Sequence, residues 1–209
     1  MSEFILSCCS TADISKEHFE KRDIKYICFH YKLNGTDYAD DLGQSIPFEE
    51  FYRRMDSGED TQTSQINVTE YLEYFESFLS EGKDILHLTL SSGISGSYNS
   101  AINAAKIAKE RYPERKLYVL DSLAASSGFG LMVDALADQR DAGADIDTLY
   151  RWAEEHKNTT FYIWLVSLII IIGRTTTFIL EQSAENGREE LIMAAVSLVL
   201  CLVQFGVGR

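Results

Sequence analysis

The sequence predicts an α/β domain built on a mostly parallel sheet with helices on both faces, followed by a short apolar tail in place of a second domain. Short apolar runs alternate with longer stretches of helical composition. The loops between them are short, which is typical of parallel strands joined by crossover helices. With 209 residues, 45% of them hydrophobic, the chain is long enough for one complete domain and part of another.

The strands are predicted from short apolar runs that end at polar or turn residues. Asn34-Gly35 predicts a hairpin turn between the second and third strands. The polar stretch Thr61–Gln65 is predicted to be a loop. The predicted strands are Phe4–Cys9, Ile24–Leu33, Thr36–Tyr38, Asp84–Leu90 and Lys116–Leu120.

The helices are predicted from capping residues and from stretches rich in good helix formers. Asn67 and Glu70 form a capping-box pattern, and Pro47 suits the first turn of a helix. The predicted helices run from Ser15 to Arg22, from Pro47 to Met55, from Asn67 to Ser80, from Ser97 to Arg111, from Ser126 to Arg140 and, after the cap Asp145, from Ile146 to His156.

The turn Ser91–Gly96, between the central strand and its helix, is a candidate ligand site. It holds two glycines and three serines, and the helix that follows begins with unpaired N–H groups that can bind an anion. No Lys or Arg occurs between Lys83 and Lys106, so a single carboxylate is a better candidate than a polyphosphate. The alternative, a tight βα connection without a ligand, stays open.

Three polar clusters should share one edge of the sheet, because each follows a parallel strand. They are Ser10-Thr11, Ser91-Ser92-Gly93 and Asp121-Ser122, and the stretch Thr63-Ser64-Gln65 could join them. In open α/β sheets this edge is where ligands bind. Taken singly, each cluster is better explained as a helix cap or a turn.

Composition excludes some functions and predicts a location. The net charge of −13 argues against nucleic-acid binding. The four cysteines (Cys8, Cys9, Cys28, Cys201) have no metal-binding spacing, so no metal and no cofactor are expected. Cys8 and Cys9 should point to opposite faces of a strand as small core residues. Met-Ser-Glu-Phe does not begin a signal-peptide pattern, and we therefore expect a cytoplasmic location.

Several motifs together resemble the bacterial DegV family over about residues 1–157. They are Thr63-Ser64-Gln65, the segment LTLSSGISGSYNS at residues 88–100, and the segment VLDSLAASSGFG at residues 119–130. The resemblance implies a cytosolic fatty-acid-binding protein, not an enzyme, with two α/β domains. Some family members are the lipid-carrying subunit of fatty acid kinase, so it also implies a kinase subunit as a partner.

The resemblance further implies a carboxylate clamp formed by Thr63 and Ser92, with the backbone of Gly93 close by. Hydroxyl and N–H groups can hold one carboxylate without a cation, while the buried alkyl chain adds about 0.8 kcal/mol per CH₂. The family arginine near the head group has Arg174 as its one candidate in this sequence. Cys9-Ser10-Thr11 replaces the usual Asp-Ser-Thr, so any role of that aspartate is absent.

Composition changes near residue 158, which predicts a boundary between a lipid-binding domain at 1–157 and a divergent tail at 158–209. The tail has three Arg and four Glu but no Lys, Asp, Pro or His. Its apolar runs, Phe161–Ile172 and Leu191–Val203, are shorter than the about 20 residues that span a membrane. Three interpretations of the tail stay open. It is a buried strand and helix, a membrane-associated hairpin or a frameshift product. The abrupt change in composition favours the frameshift product, and the membrane-associated hairpin is not favoured.

Two other functional classes compete with the lipid carrier. A serine-dependent hydrolase of acyl esters would use Ser92 or Ser95, but Ser97 stands where the nucleophile-elbow motif requires glycine. The four histidines, His18, His30, His87 and His156, have no recognisable partner pattern, and His87 is expected to be a core residue in mid-strand. The third class is a truncated fragment without function.

Overall fold

A computed structural model describes residues 4–159 and residue 174. The chain divides into two compact units, Met1–Phe161 and Tyr162–Arg209. All strands and helices described below belong to the first unit. The predicted strand and helix of the tail, and the hairpin and frameshift interpretations, fall outside the described residues, and the boundary at residue 157 stays a prediction.

The first unit contains strands and helices in near alternation. The strands are β1 (Phe4–Cys9), β2 (Lys25–Ile27), β3 (His30–Leu33), β4 (Thr36–Ala39), β5 (Thr61–Ser64), β6 (Asp84–Thr89) and β7 (Leu117–Asp121). The helices are α1 (Lys16–Lys21), α2 (Phe48–Asp56), α3 (Val68–Leu79), α4 (Ser97–Arg111), α5 (Ser126–Asp141) and α6 (residues 146–159). None of the helices in this described part is long and apolar enough to cross a membrane.

The main sheet is parallel throughout, with the strand order β2-β1-β6-β7. Leu86 and Leu88 lie in β6, and Val119 of β7 is in register with His87. The parallel pairing confirms the predicted crossover through α4, which is long enough to return the chain to the same end of the sheet. Leu90 lies just beyond β6 and is still buried, at 8% exposure.

The core around this sheet is mainly apolar, and Ser7, His87 and Thr89 are buried polar residues of its strands. Cys8 and Cys9 are both fully buried, in agreement with their predicted role as small core residues. Helix α5 packs against the short turn Ser10–Ala12 that follows β1. A side chain at Gly130 would collide there, because its Cβ would lie 2.5 Å from the carbonyl oxygen of Ala12. Glycine therefore allows the close approach of helix and turn.

A second, antiparallel sheet has the order β4-β3-β5. Asn34 and Gly35 have φ angles of 50° and 79°, as the predicted hairpin turn requires. The prediction of one strand over Ile24–Leu33 was wrong, since β2 lies in the parallel sheet and β3 in the antiparallel one. The chain changes sheet at Phe29, where its N–H donates to Ser10 Oγ (3.0 Å) and its carbonyl accepts from Asp40 N (2.8 Å).

The prediction of a loop at Thr61–Gln65 was also wrong, because Thr61–Ser64 forms β5 and pairs with β3. The strand is mostly exposed, so it has no apolar pattern from which it could be predicted. The capping predictions were confirmed. Ser15 Oγ accepts from His18 N, and Asn67 and Glu70 form a reciprocal capping box.

Candidate functional site

The three predicted polar clusters lie at the same edge of the parallel sheet, since β1, β6 and β7 are neighbours. One hydrogen bond joins the last two clusters directly, and another joins Ser122 to the end of β6. Ser122 N donates to the carbonyl of Thr89 (3.3 Å), and Ser92 N donates to Asp121 Oδ1 (3.1 Å). Asp121 is almost fully buried, and it therefore fixes the backbone at the start of the Ser91–Gly96 turn.

The Ser91–Gly96 turn uses much of its own hydrogen-bonding capacity. Ser91 O accepts from Ile94 N (3.0 Å) and Ser95 N (3.1 Å), and Ser91 Oγ accepts from Gly93 N (3.2 Å). The N–H groups of Gly93, Ile94 and Ser95 are therefore paired within the turn, and at the first residue of α4 Ser97 N donates to Ser95 Oγ (3.2 Å). Ser92 is exposed, so its hydroxyl is accessible to a ligand.

The segment Thr63-Ser64-Gln65 contacts this turn through Gln65. Its side chain lies over Gly96, where a Cβ would approach Gln65 Cδ to 3.1 Å and Nε2 to 3.2 Å. Gln65 directly follows β5, which carries Thr63. The segment Thr63-Ser64-Gln65 and the turn are thus adjacent, although they are far apart in sequence.

A cavity of about 230 Å³ lies between the antiparallel sheet and α2, and Thr63 is part of its wall. Thr63 is in register with Tyr31 of β3, which stacks on Tyr38 of β4 (5.5 Å between ring centroids) and meets Phe51 of α2 edge-on (5.2 Å). The wall is mainly apolar, formed largely by Phe29, Tyr31, Ile46, Phe48, Phe51 and Tyr52. Such a lining suits an alkyl chain.

Two carboxyl groups interrupt this apolar wall, at Asp40 and Asp41. Burial raises the pKa of Asp40, and the hydrogen bond that Asp40 Oδ2 accepts from Ser10 Oγ (2.7 Å) opposes the rise. Asp41 accepts from the backbone N–H groups of Gln44 (2.9 Å) and Ser45 (3.1 Å). These bonds hold the loop that forms one side of the cavity.

A larger groove of about 690 Å³ lies at the opposite, amino-terminal edge of the parallel sheet. Its wall is dominated by charged side chains, among them Arg22, Asp84, Lys116 and Arg140. Burying an alkyl chain there would remove charged groups from water without compensation. The smaller cavity is therefore the better candidate for an apolar ligand.

The predicted site residues fall into two groups. Ser92 and Gly93 lie in the turn, and Thr63 lies in the cavity wall beside the segment that touches this turn. Arg174 is exposed and helical, and it belongs to the second unit. Sequence reasoning missed the aromatic wall. One available signal was the concentration of Phe48, Phe51 and Tyr52 in one short, otherwise charged helix.

All four histidines have partners of their own, and His156 Nδ1 lies 2.8 Å from the carbonyl oxygen of Trp152. His18 Nε2 lies 2.8 Å from Asp134 Oδ1, and His30 Nε2 lies 2.8 Å from Glu70 Oε1. His87 is fully buried, as expected, and its Nδ1 lies 2.7 Å from Ser7 Oγ. Burial lowers the pKa of His87 to about 3, which keeps it neutral and makes it a poor general base.

The fold and the candidate site describe an α/β protein with hydroxyl groups near an apolar cavity. The family model for the DegV family, described as an uncharacterised protein family, matches residues 9–169. The chain therefore belongs to the DegV family, as its motifs predicted.

The similar proteins include a curated relative and two solved structures. A DegV domain-containing protein from Clostridium perfringens is 33% identical over 202 residues, which cover 97% of this chain and 66% of the relative. A stearic acid-binding protein from Eubacterium ventriosum is 30% identical, with a TM-score of 0.66 over 72% of this chain and 52% of that chain. A DegV lipid-binding protein from Thermotoga maritima is 29% identical, with a TM-score of 0.66 over 76% of this chain and 55% of that chain. The chain thus spans about half to two thirds of these proteins.

Proposed function

We propose that this chain binds a long-chain fatty acid, with its alkyl chain in the cavity between the antiparallel sheet and α2. The observation that carries the proposal is the apolar, aromatic lining of this cavity together with the hydroxyl-bearing Thr63 in its wall. An alkyl chain gains about 0.8 kcal/mol for each CH₂ that it buries. The similarity to a stearic acid-binding protein supports the same ligand class.

The carboxylate is held by the hydroxyls of Thr63 and Ser92, with Gly93 beside them. Both side chains are exposed, and Gln65 connects their two segments by lying over Gly96. Hydroxyl groups can donate to a carboxylate and so replace the water that it loses. The family resemblance also implies a head-group role for Arg174, which belongs to the second unit, and this role stays a prediction.

The chain acts as a carrier that presents the bound acid to a fatty acid kinase in the cytoplasm, and it does not catalyse the reaction itself. The kinase partner and the location follow from the family resemblance. The carrier role is supported by the binding functions of the similar solved structures and by the low basicity of the buried His87.

The proposal is tested by titrating the purified protein with a fatty acid and comparing Ser92→Ala and Thr63→Val with the unmodified protein. A hydrogen bond to a charged group is worth about 1.5–3 kcal/mol, so each change should weaken binding roughly tenfold or more. Thr36→Val is the matched control, because Thr36 is an exposed threonine of the same sheet outside the cavity wall.

Circular dichroism should show that all variants fold, since Thr63 and Ser92 are both exposed. Equal affinity in every folded variant would remove Thr63 and Ser92 from the site. No binding by the unmodified chain would contradict the proposed function itself. Mass spectrometry of lipid extracted from the purified protein provides an independent check.

A further inference from the structure

One side of the cavity wall is formed by Phe48, the first residue of α2, which like Tyr52 is much more exposed than Phe29, Tyr31 and Phe51 of the same wall. Phe51 and Tyr31 are half-buried and pack on each other with their ring centroids 5.2 Å apart. Phe48 is 59% exposed, so one part of it faces solvent while another part lines the cavity. The Phe48 ring is therefore part of the outer boundary between the cavity and water, together with Tyr52.

The position of the Phe48 ring depends on Gly43, which lies in the loop between β4 and α2. A Cβ built on Gly43 would lie 3.2 Å from Phe48 Cε2 and 3.4 Å from Cζ, so the ring rests directly on the glycine backbone. Leu42 and Gly43 both have left-handed φ angles, at 62° and 81°. This conformation is typical of glycine, and it lets the loop pass beneath the ring.

The loop is held in place by its own hydrogen bonds, whereas the Phe48 ring is 59% exposed. The carboxylate of Asp41 accepts hydrogen bonds from Gln44 N and Ser45 N, and Ile46 is buried at 8% exposure. The volume of the cavity, about 230 Å³, lies below the about 300–1,000 Å³ typical of sites that enclose a whole ligand. The size of the side chain at position 48 therefore has a large effect on how much alkyl chain fits.

We propose that Phe48, seated on Gly43, determines the length of acyl chain that this cavity accepts. The proposal rests on the proposed function, because it assumes that the alkyl chain lies in this cavity. A smaller side chain at position 48 opens the outer wall and admits a longer chain. A larger one narrows the cavity and favours a shorter chain.

The test measures affinity for saturated fatty acids of about 10 to 20 carbons with the full chain. Each buried CH₂ should improve affinity about fourfold until the cavity is filled, after which affinity stops rising. In Phe48→Ala this limit should move to a chain about two carbons longer, with roughly tenfold tighter binding at that length. In Phe48→Trp, affinity should stop rising at a shorter acyl chain than in the unmodified protein.

Met55→Ala is the matched control, since Met55 is an exposed apolar residue two turns further along α2 and outside the cavity wall. In Met55→Ala, affinity should stop rising at the same acyl chain length as in the unmodified protein. Phe48→Leu replaces Phe48→Ala if circular dichroism shows that the alanine variant does not fold. An unchanged limit in the small and large variants, with binding intact, would overturn this proposal alone. A chain that binds no acid at any length would overturn the proposed function as well.

Discussion

The two sheets of the first unit differ in how they are buried. In the parallel sheet, five of the six residues of β6 are fully or nearly buried, and the helices that pack on it contribute apolar side chains to the core. In the antiparallel sheet, three of the four residues of β5 are exposed, and the adjacent α2 has no buried residue. Yet the cavity lies in this second, less buried region.

Because the two regions differ in burial, we expect the parallel sheet to contribute mainly to stability and the antiparallel sheet with α2 to contribute mainly to ligand binding. Free energy of folding comes mainly from apolar surface removed from water, so the parallel sheet should supply most of it. The antiparallel sheet and α2 leave apolar side chains partly exposed, and a bound alkyl chain would cover some of them. Substitutions in the two regions should therefore affect different measurements.

The largest loss of stability is expected for Leu86→Ala in β6. Leu86 is fully buried in the centre of the parallel sheet, so truncation removes apolar contacts and leaves a cavity. Such changes reduce the free energy of unfolding by about 2–5 kcal/mol. Denaturant titration measures this, and a loss below about 1 kcal/mol would mean that the parallel sheet is not the main source of stability.

Acid should weaken the parallel sheet through His87, whose pKa is lowered from 6.5 to about 3 by burial. The unfolded chain binds a proton more readily than the folded chain between these values, so stability is present above about pH 6.5 and falls as the pH drops toward 3. The contribution is up to about 1.4 kcal/mol per pH unit.

The His87 prediction is checked by measuring the free energy of unfolding at several pH values in the unmodified protein and in His87→Asn. Asparagine keeps a polar group near Ser7 but does not titrate. The variant should show a shallower dependence on pH. Parallel curves for the two proteins would show that protonation of His87 has no part in acid unfolding.

Gly130→Ala tests the close packing of α5 on the turn after β1. Alanine normally stabilises a helix relative to glycine, but here its Cβ would meet the carbonyl oxygen of Ala12 at 2.5 Å. Because backbone cannot easily move aside, we expect a loss of about 1–3 kcal/mol in unfolding free energy. A gain in thermal stability would show that helix propensity outweighs the collision.

The smallest loss of stability is expected in the antiparallel region, for Phe51→Ala in α2. The edge-on contact with Tyr31 contributes about 0.5–1.5 kcal/mol, and much of α2 is already exposed. Fatty-acid affinity should fall clearly in the same variant, because Phe51 lines the cavity. If Phe51→Ala unfolds the protein as strongly as Leu86→Ala, the two regions are one cooperative core.

The candidate site could be predicted only in part from the sequence. Ser92 lies in the turn predicted from its glycine and serine pattern, and Thr63 was indicated by the family resemblance; their role in binding stays a prediction. The assembly of the aromatic wall was not predictable, although the aromatic residues of α2 were a signal for part of it. Tyr31, Tyr38 and Phe51 come from two strands and a helix, and the pattern of each segment says nothing about which rings will meet.

The sequence by itself determined the α/β class, the strands β1, β6 and β7 of the parallel sheet and the helix Ser97–Arg111, whose bounds agree with the prediction. These features depend on local signals: apolar runs, capping residues and helix propensity. Only the tertiary structure decided that the chain leaves the parallel sheet at Phe29 and that Thr61–Ser64 is a strand. The physical reason is that the deciding hydrogen bonds, from Phe29 to Ser10 and between β3 and β5, join residues that are distant in sequence.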